Sequence, residues 1–134
     1  MKRIISGKLK QFDVRVPNAV GSLSSVCDAL AQSAVNIKAI STGDGFVRLV
    51  TEDDATAKDV LDKANFDFTQ SEIISLTLMD RPGELAKIAK LLARSGINVD
   101  SVYILGKNPE RSETHIAIKV NDVPKAMKIL GALS

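Results

Sequence analysis

Residues 20–41, VGSLSSVCDALAQSAVNIKAIS, lie over residues 82–103, PGELAKIAKLLARSGINVDSVY, at a constant offset of 62 and with no gap. Gly21 falls on Gly83, Leu23 on Leu85, Leu30 on Leu92 and Asn36 on Asn98. The segments ahead of them agree at the same offset, with Phe12, Val14 and Val16 on Ile74, Leu76 and Leu78. Such repetition limits the fold more than any single motif. Each copy must be one supersecondary unit, and a chain of 134 residues has room for two small ones.

Within a copy the order of elements is legible. An alternating stretch, FDVRV or IISLTLM, comes first, and its period of two sets Phe12, Val14 and Val16 against Asp13 and Arg15. A loop ending in Gly-x-Leu follows. A helical stripe is then formed by Leu23, Val26, Cys27, Leu30 and Ala34, or by Leu85, Ile88, Ala89, Leu92 and Gly96. A second strand begins at Asn36-Ile37 or Asn98-Val99, and a third is FVRLV or THIAIKV. In copy one these two are joined by TGDG, where Asp44-Gly45 is a tight-hairpin signal. In copy two the link is the longer, polar LGKNPERSE, after which the offset becomes 69. A second helix closes each copy. Asp53 or Asp54 can cap one, and Asp122, ahead of Val-Pro, the other.

This order predicts an α+β fold: two ferredoxin-like βαββαβ modules in tandem, 1–72 and 73–134, with antiparallel sheets and helices on one face. Helices are expected over about 21–34, 54–64, 83–95 and 123–132. Copy one can take its fourth strand from 65–72. Copy two ends right after its second helix, so residues 2–6 are expected to fill the place it leaves open, since an uncovered edge invites aggregation. The expected core is Val14, Val16, Leu23, Val26, Leu30, Leu49 and Leu61, with Leu76, Leu78, Leu85, Ile88, Leu92, Ile116, Ile118 and Leu130.

Composition removes several functions. The net charge is only +2, there is no Trp and there is one Tyr, so a basic, aromatic nucleic-acid surface is not expected. The open-face strand positions hold Asp13, Arg15, Ser75, Thr77, His115 and Lys119 rather than stacking aromatics. One cysteine, Cys27, excludes an internal disulfide and a Cys-rich zinc site. One His and no nucleophile–base pair at a recognisable spacing argue against an enzyme. No cofactor or metal is expected, and His115 reads as a surface residue. The start MKRIISGKLKQFDVRV lacks an apolar h-region and no run reaches transmembrane length, so a cytoplasmic protein is expected.

The remaining motif is D-x-PGxL after strand one with GIN-V after helix one: Asp80, Arg81, Pro82, Gly83, Leu85, then Gly96, Ile97, Asn98 and Val99. In this setting it resembles the ACT domain, a family of small regulatory modules, many of which bind amino acids. Copy one keeps Asn18, Gly21, Leu23 and Asn36 but has Val20 for the loop proline and Ala34 for the glycine after the helix. The resemblance implies that paired modules join sheets edge to edge. It also implies that an effector lies at the module interface, against the first loop and the start of strand two.

The chemistry of the loop suits an amino acid better than a phosphate. Gly21 and Gly83 can allow close approach, and a helix start favours a carboxylate. Asp80 could meet an ammonium group and Arg81 a carboxylate, while Pro82 stiffens the turn. Asn36 and Asn98 offer a donor and an acceptor each. The phosphate signatures GxGxxG and GxxxxGK[ST] are missing, and Glu84 would repel a phosphate. Plainer uses stay open for the same residues: a tight turn at the glycines, capping by Asp80 or Asn18, and helix termination by Asn36 and Asn98. The expected contacts are therefore Asp80, Arg81, Pro82, Gly83, Glu84, Leu85 and Asn98 in copy two and Asn18, Gly21, Leu23 and Asn36 in copy one, with the copy-two loop dominant. The function expected is a non-catalytic module, dimeric, that binds an amino acid at the interface of its repeats and signals to a separate protein. The alternative is an interaction module whose ligand site has decayed.

Overall fold

Among the described residues six strands and four α-helices follow in the order the repeat requires: β1 (Ile5–Arg15), α1 (Ser22–Gln32), β2 (Ile37–Gly43), β3 (Phe46–Thr51), α2 (Asp54–Lys63), β4 (Asp67–Met79), α3 (Glu84–Arg94), β5 (Val99–Asn108), β6 (Glu113–Val120) and α4 (Val123–Gly131). The structure, a computed structural model, describes residues 4–133. The fold is α+β, and it divides into two compact units, one from Lys10–Ser71 and the other from the segments on either side of it.

In the Lys10–Ser71 unit β3 pairs antiparallel with both β1 and β2, and Phe12 lies opposite Leu49. Phe12, Val14, Val47 and Leu49 form one apolar face, closed by Val26 and Leu30 of α1 and by Ala57 and Leu61 of α2. The start of β4 belongs to this unit. Phe68 meets Phe12 edge to face with ring centroids 5.9 Å apart, and Asp67 pairs with Arg15 at 3.5 Å.

The second unit repeats the arrangement. β6 pairs antiparallel with β4 and β5, and Ile74 lies opposite Ile118, the positions equivalent to Phe12 and Leu49. Ile88 and Leu92 of α3 and Ala126 and Leu130 of α4 cover Ile74, Leu76, Ile116 and Ile118. Here the start of β1 lies beside β4. The Thr77 amide donates to the Ile4 carbonyl at 2.7 Å, and the Ser6 and Thr77 hydroxyls are 2.6 Å apart. Ile4 and Ile5 pack on this unit's core. Of the expected strand 2–6, residues 2 and 3 lie outside the described residues. Within the described residues the short strands read from the sequence run together: Ile5–Arg15 is one continuous strand, β1, and Asp67–Met79 is another, β4.

Three core assignments need correction. Leu23 and Leu85 are each 45% exposed and Val16 is half-buried. Both leucines sit in the first turn of their helix, ahead of Val26 and Ile88, the first residues to reach the core. Helical periodicity identified their side of the helix but not how far along it the sheet extends. Cys27, on the stripe of α1, is also half-buried. The caps follow the sequence: Asp53 accepts from the Thr56 amide at 3.1 Å and Asp122 from the Lys125 amide at 3.1 Å.

The end of each first helix shows why one substitution between the copies matters. The residue that turns left-handed is not Asn36 or Asn98 but the one two places earlier, Ala34 at φ 56° and Gly96 at φ 73°. An L-residue there suffers a Cβ–carbonyl clash that glycine avoids. Ala34→Gly is therefore expected to stabilise the protein by about 1 kcal/mol, and Gly96→Ala to destabilise it by a similar amount. Denaturant midpoints of the two variants check this; a loss of stability in Ala34→Gly would contradict it.

Candidate functional site

Loop 80–83 turns the end of β4 into α3, and its backbone dictates its glycine. Gly83 has φ 87° and Gly21, its counterpart before α1, has φ 89°. A Cβ at either would meet nothing within 4 Å, so the requirement is torsional rather than steric. Neither helix start receives a side-chain cap, so Asp80 and Asn18 do not cap.

Asp80 is held elsewhere. Its amide donates to the Ser112 carbonyl at 2.8 Å, and Lys107 approaches its carboxylate at 3.4 Å. Lys107 and Ser112 both lie in the lengthened copy-two connection, so the extra residues there reach back to this loop. Sequence alignment at the loop could not find Lys107, because copy one has nothing equivalent to compare.

Arg81 faces its own helix. Its Nε donates to Glu84 Oε1 at 2.5 Å, and Lys87 Nζ reaches the same oxygen at 3.3 Å. Together the two cations hold the Glu84 carboxyl below the ordinary carboxylate range, with the Arg81 hydrogen bond the larger cause. The consequence has a definite sign. A folded pKa below the unfolded value means the ionised pair favours the folded state above the unfolded pKa, and that this contribution is lost as pH falls through the folded value. The stability difference between wild type and Glu84→Gln is thus expected to be present at neutral pH, to begin to decline near the ordinary glutamate range and to be lost as pH falls further, through the lowered folded value. Urea titrations across that range measure it, and a difference that grows on acidification would refute the assignment.

Beside this helix start is a cavity of about 490 Å3, lined by Glu84, Lys87, Ile88, Leu91 and Arg94 from α3, by Thr77, Leu78 and Met79 from β4, and by Ile4, Glu113 and Leu133. Its wall is largely apolar, with two cations and two carboxylates at hand. Glu113 is buried and has Arg111 at 3.7 Å. Of the expected contacts, only Glu84 lines this cavity; Lys87, Arg94 and Glu113 were not anticipated. Leu85 and Pro82 are exposed beside it. His115 is half-buried, its Nδ1 3.0 Å from the Thr77 hydroxyl on the open side of the strands.

Asn98 is not near this loop within its own unit. It follows the C-terminus of α3, roughly 16 Å from the helix start at 1.5 Å per residue. Its amide donates to Asn121 Oδ1 at 3.0 Å and its Nδ2 to Asp100 Oδ1 at 2.7 Å. Asn36 is exposed, and its carbonyl accepts from the Glu52 amide at 3.0 Å. In copy one Asn18 is exposed, and a smaller hollow of about 380 Å3 is lined by Val16, Pro17, Val20, Gly21, Ser22, Ser25 and Phe66. That loop carries no acidic residue in the first turn of its helix, unlike α3 with Glu84.

Residues 73–134 match the family model described as ACT domain. No curated protein matches the sequence. Among solved structures, protein BT0572 from Bacteroides thetaiotaomicron aligns over 94% of this chain and 88% of its own, with a TM-score of 0.81 and 22% identity. A putative C-terminal regulatory domain of aspartate kinase from Porphyromonas gingivalis aligns over 96% and 92%, with a TM-score of 0.64 and 17% identity. Against the aspartate kinase of Clostridium acetobutylicum the alignment covers 98% of this chain but 35% of the kinase, with a TM-score of 0.61 and 16% identity. The superpositions show a shared fold.

Proposed function

Because residues 73–134 are an ACT domain, we propose that the chain is a non-catalytic regulatory module that binds a small amino acid and passes the signal to a separate protein. The observation that carries this reading is the cavity beside Glu84. An apolar wall from Leu78, Ile88 and Leu91 suits an aliphatic side chain, Lys87 and Arg94 suit the α-carboxylate, and Glu84 and Glu113 suit the ammonium group. Several solved structures of similar fold are described as regulatory parts of aspartate kinase, which supports a regulatory role. Ligand contacts are centred on the copy-two loop, with Arg81 acting through Glu84 unless a ligand carboxylate displaces that pair. Binding shifts a partner's equilibrium only if the ligand favours one of its states.

Isothermal titration against the twenty amino acids tests this. Heat is expected from an aliphatic amino acid, lost in Lys87→Gln; no heat with any of them at millimolar concentration would defeat the proposal.

A second reading, an interaction module without a ligand, is favoured by one observation. The edge strands expose Ile40 on β2 and Val102 and Ile104 on β5, and Ile40 and Val102 occupy equivalent places in the repeats. Self-association that persists unchanged with every amino acid, measured by light scattering, would favour it.

A further inference from the structure

The Lys10–Ser71 unit carries a charged cleft that neither the loop nor the apolar cavity accounts for. Its volume is about 790 Å3, and Asp13, Arg15, Asp44, Phe46, Arg48 and Asp67 contribute to its lining. β1 supplies Asp13 and Arg15, β3 supplies Phe46 and Arg48, the start of β4 supplies Asp67, and the β2–β3 turn supplies Asp44. Phe12, Val14, Val47 and Leu49 pack under the helices, so Asp13, Arg15, Phe46 and Arg48, which alternate with them, open on the other side of the strands.

Arg48 is held in place on two sides. Its Nε donates to Asp13 Oδ1 at 2.9 Å, and its guanidinium carbon lies 5.0 Å from the centre of the Phe46 ring. Both partners of the ion pair are about three-quarters shielded, with side chains 27% and 25% exposed. Asp13 also accepts from Gln11 Nε2 at 3.2 Å. Phe46 can lie where it does because residue 43 is glycine: a Cβ there would run into the ring. Nε makes the one hydrogen bond of the guanidinium among the described residues, which leaves its two terminal nitrogens to the cleft.

The repeat supplies a control for whether the fold needs these charges. The cross-strand pair Asp13–Arg48 corresponds in the other unit to Ser75–Ala117, and Arg15 corresponds to Thr77. The same strand pairing is thus made without any of them. A shielded ion pair costs desolvation that the Ser–Ala pair avoids, and the strand pairing does not require it. Three aspartates against two arginines leave the lining with one negative charge in excess, and Asp44 forms no ion pair among the described residues.

We infer that this open-face cleft of the first repeat is a separate binding site for a small molecule carrying one carboxylate and two cationic groups, a diamino acid in chemical class. The carboxylate meets the fixed Arg48 fork, and a cationic group meets Asp44. The net positive charge of such a molecule offsets the excess of the lining, which a neutral zwitterion leaves uncompensated.

The test is an amide NMR titration of the full chain with ornithine, norvaline and putrescine. Norvaline lacks the side-chain cation and putrescine lacks the carboxylate. Ornithine is expected to shift the resonances of residues 13–15 and 43–48 in a saturable way, with norvaline and putrescine at least about tenfold weaker. Asp44→Asn keeps an Asn-Gly turn, which a hairpin accepts, and is expected to weaken ornithine by about tenfold. The spectrum itself reports that the variant is folded. No shift at 13–15 and 43–48, equal binding of norvaline, or ornithine binding unchanged in Asp44→Asn would each overturn the inference. Shifts confined to residues 80–87 would also overturn it, while favouring the site beside α3; loss of that site leaves this one standing.

Discussion

Phe12→Ala is expected to cost about 3–5 kcal/mol, the range for removing a buried aromatic side chain. Phe12 is fully buried in the middle of β1, against α1 and α2 on the helical side of its strand. It also meets Phe68 edge to face, a contact that adds to its area burial. Phe68 stands on the first part of β4, so the truncation loosens the strand that closes this unit as well as its core. The shift in guanidinium midpoint at constant slope measures the effect. A loss below about 1 kcal/mol would mean that the site collapses around the missing ring or that the ring is not packed as described.

Leu92→Ala is expected to cost about 2–5 kcal/mol. Leu92 is 1% exposed and lies in the cluster that joins α3 to Ile74, Leu76 and Ile118. Its informative partner is Leu85→Ala, one position on the same sequence stripe but 45% exposed. That change is expected to cost well under 1 kcal/mol, since little surface returns to water. Comparable losses for the two would show that the first turn of α3 is buried after all. The contrast matters for function, because Leu85 is free to meet a ligand or partner only if it is not part of the core.

Much of the fold was legible because the periods of helices and strands are short. The stripe Val26, Leu30 and its copy Ile88, Leu92 needed only a repeat and a period of about 3.6 residues. Asp53 and Asp122 were legible as caps because a cap acts on an amide three residues away. The candidate site was less legible. At Gly83 the sequence allowed either a tight turn or close ligand approach, and its left-handed φ, with open space where a Cβ would be, shows a backbone requirement. Arg81 and Glu84 were each expected as ligand contacts from the loop motif. That Arg81 spends its guanidinium on Glu84 depends on rotamers, which spacing alone leaves open. Lys87 and Arg94 carry no local signal that sets them apart from a solvated helix face; the cavity puts them beside Leu78 and Met79.

The repeated αβ plan, the four helices, the two apolar faces and the ACT-like loop of the second copy were determined by the sequence alone, because each is written in residues a few positions apart. The tertiary structure decided what lies across from what. It made single strands of β1 and β4, set Ile4 beside Thr77 and Phe68 beside Phe12, brought Lys107 from the longer connection onto Asp80, and gathered Asp13, Arg48, Asp44 and Asp67 around one cleft. These contacts join residues dozens of positions apart. The periodicity of one segment reports the face a side chain takes, but not which distant segment will cover it; that is set by strand pairing and by the burial that pairing permits.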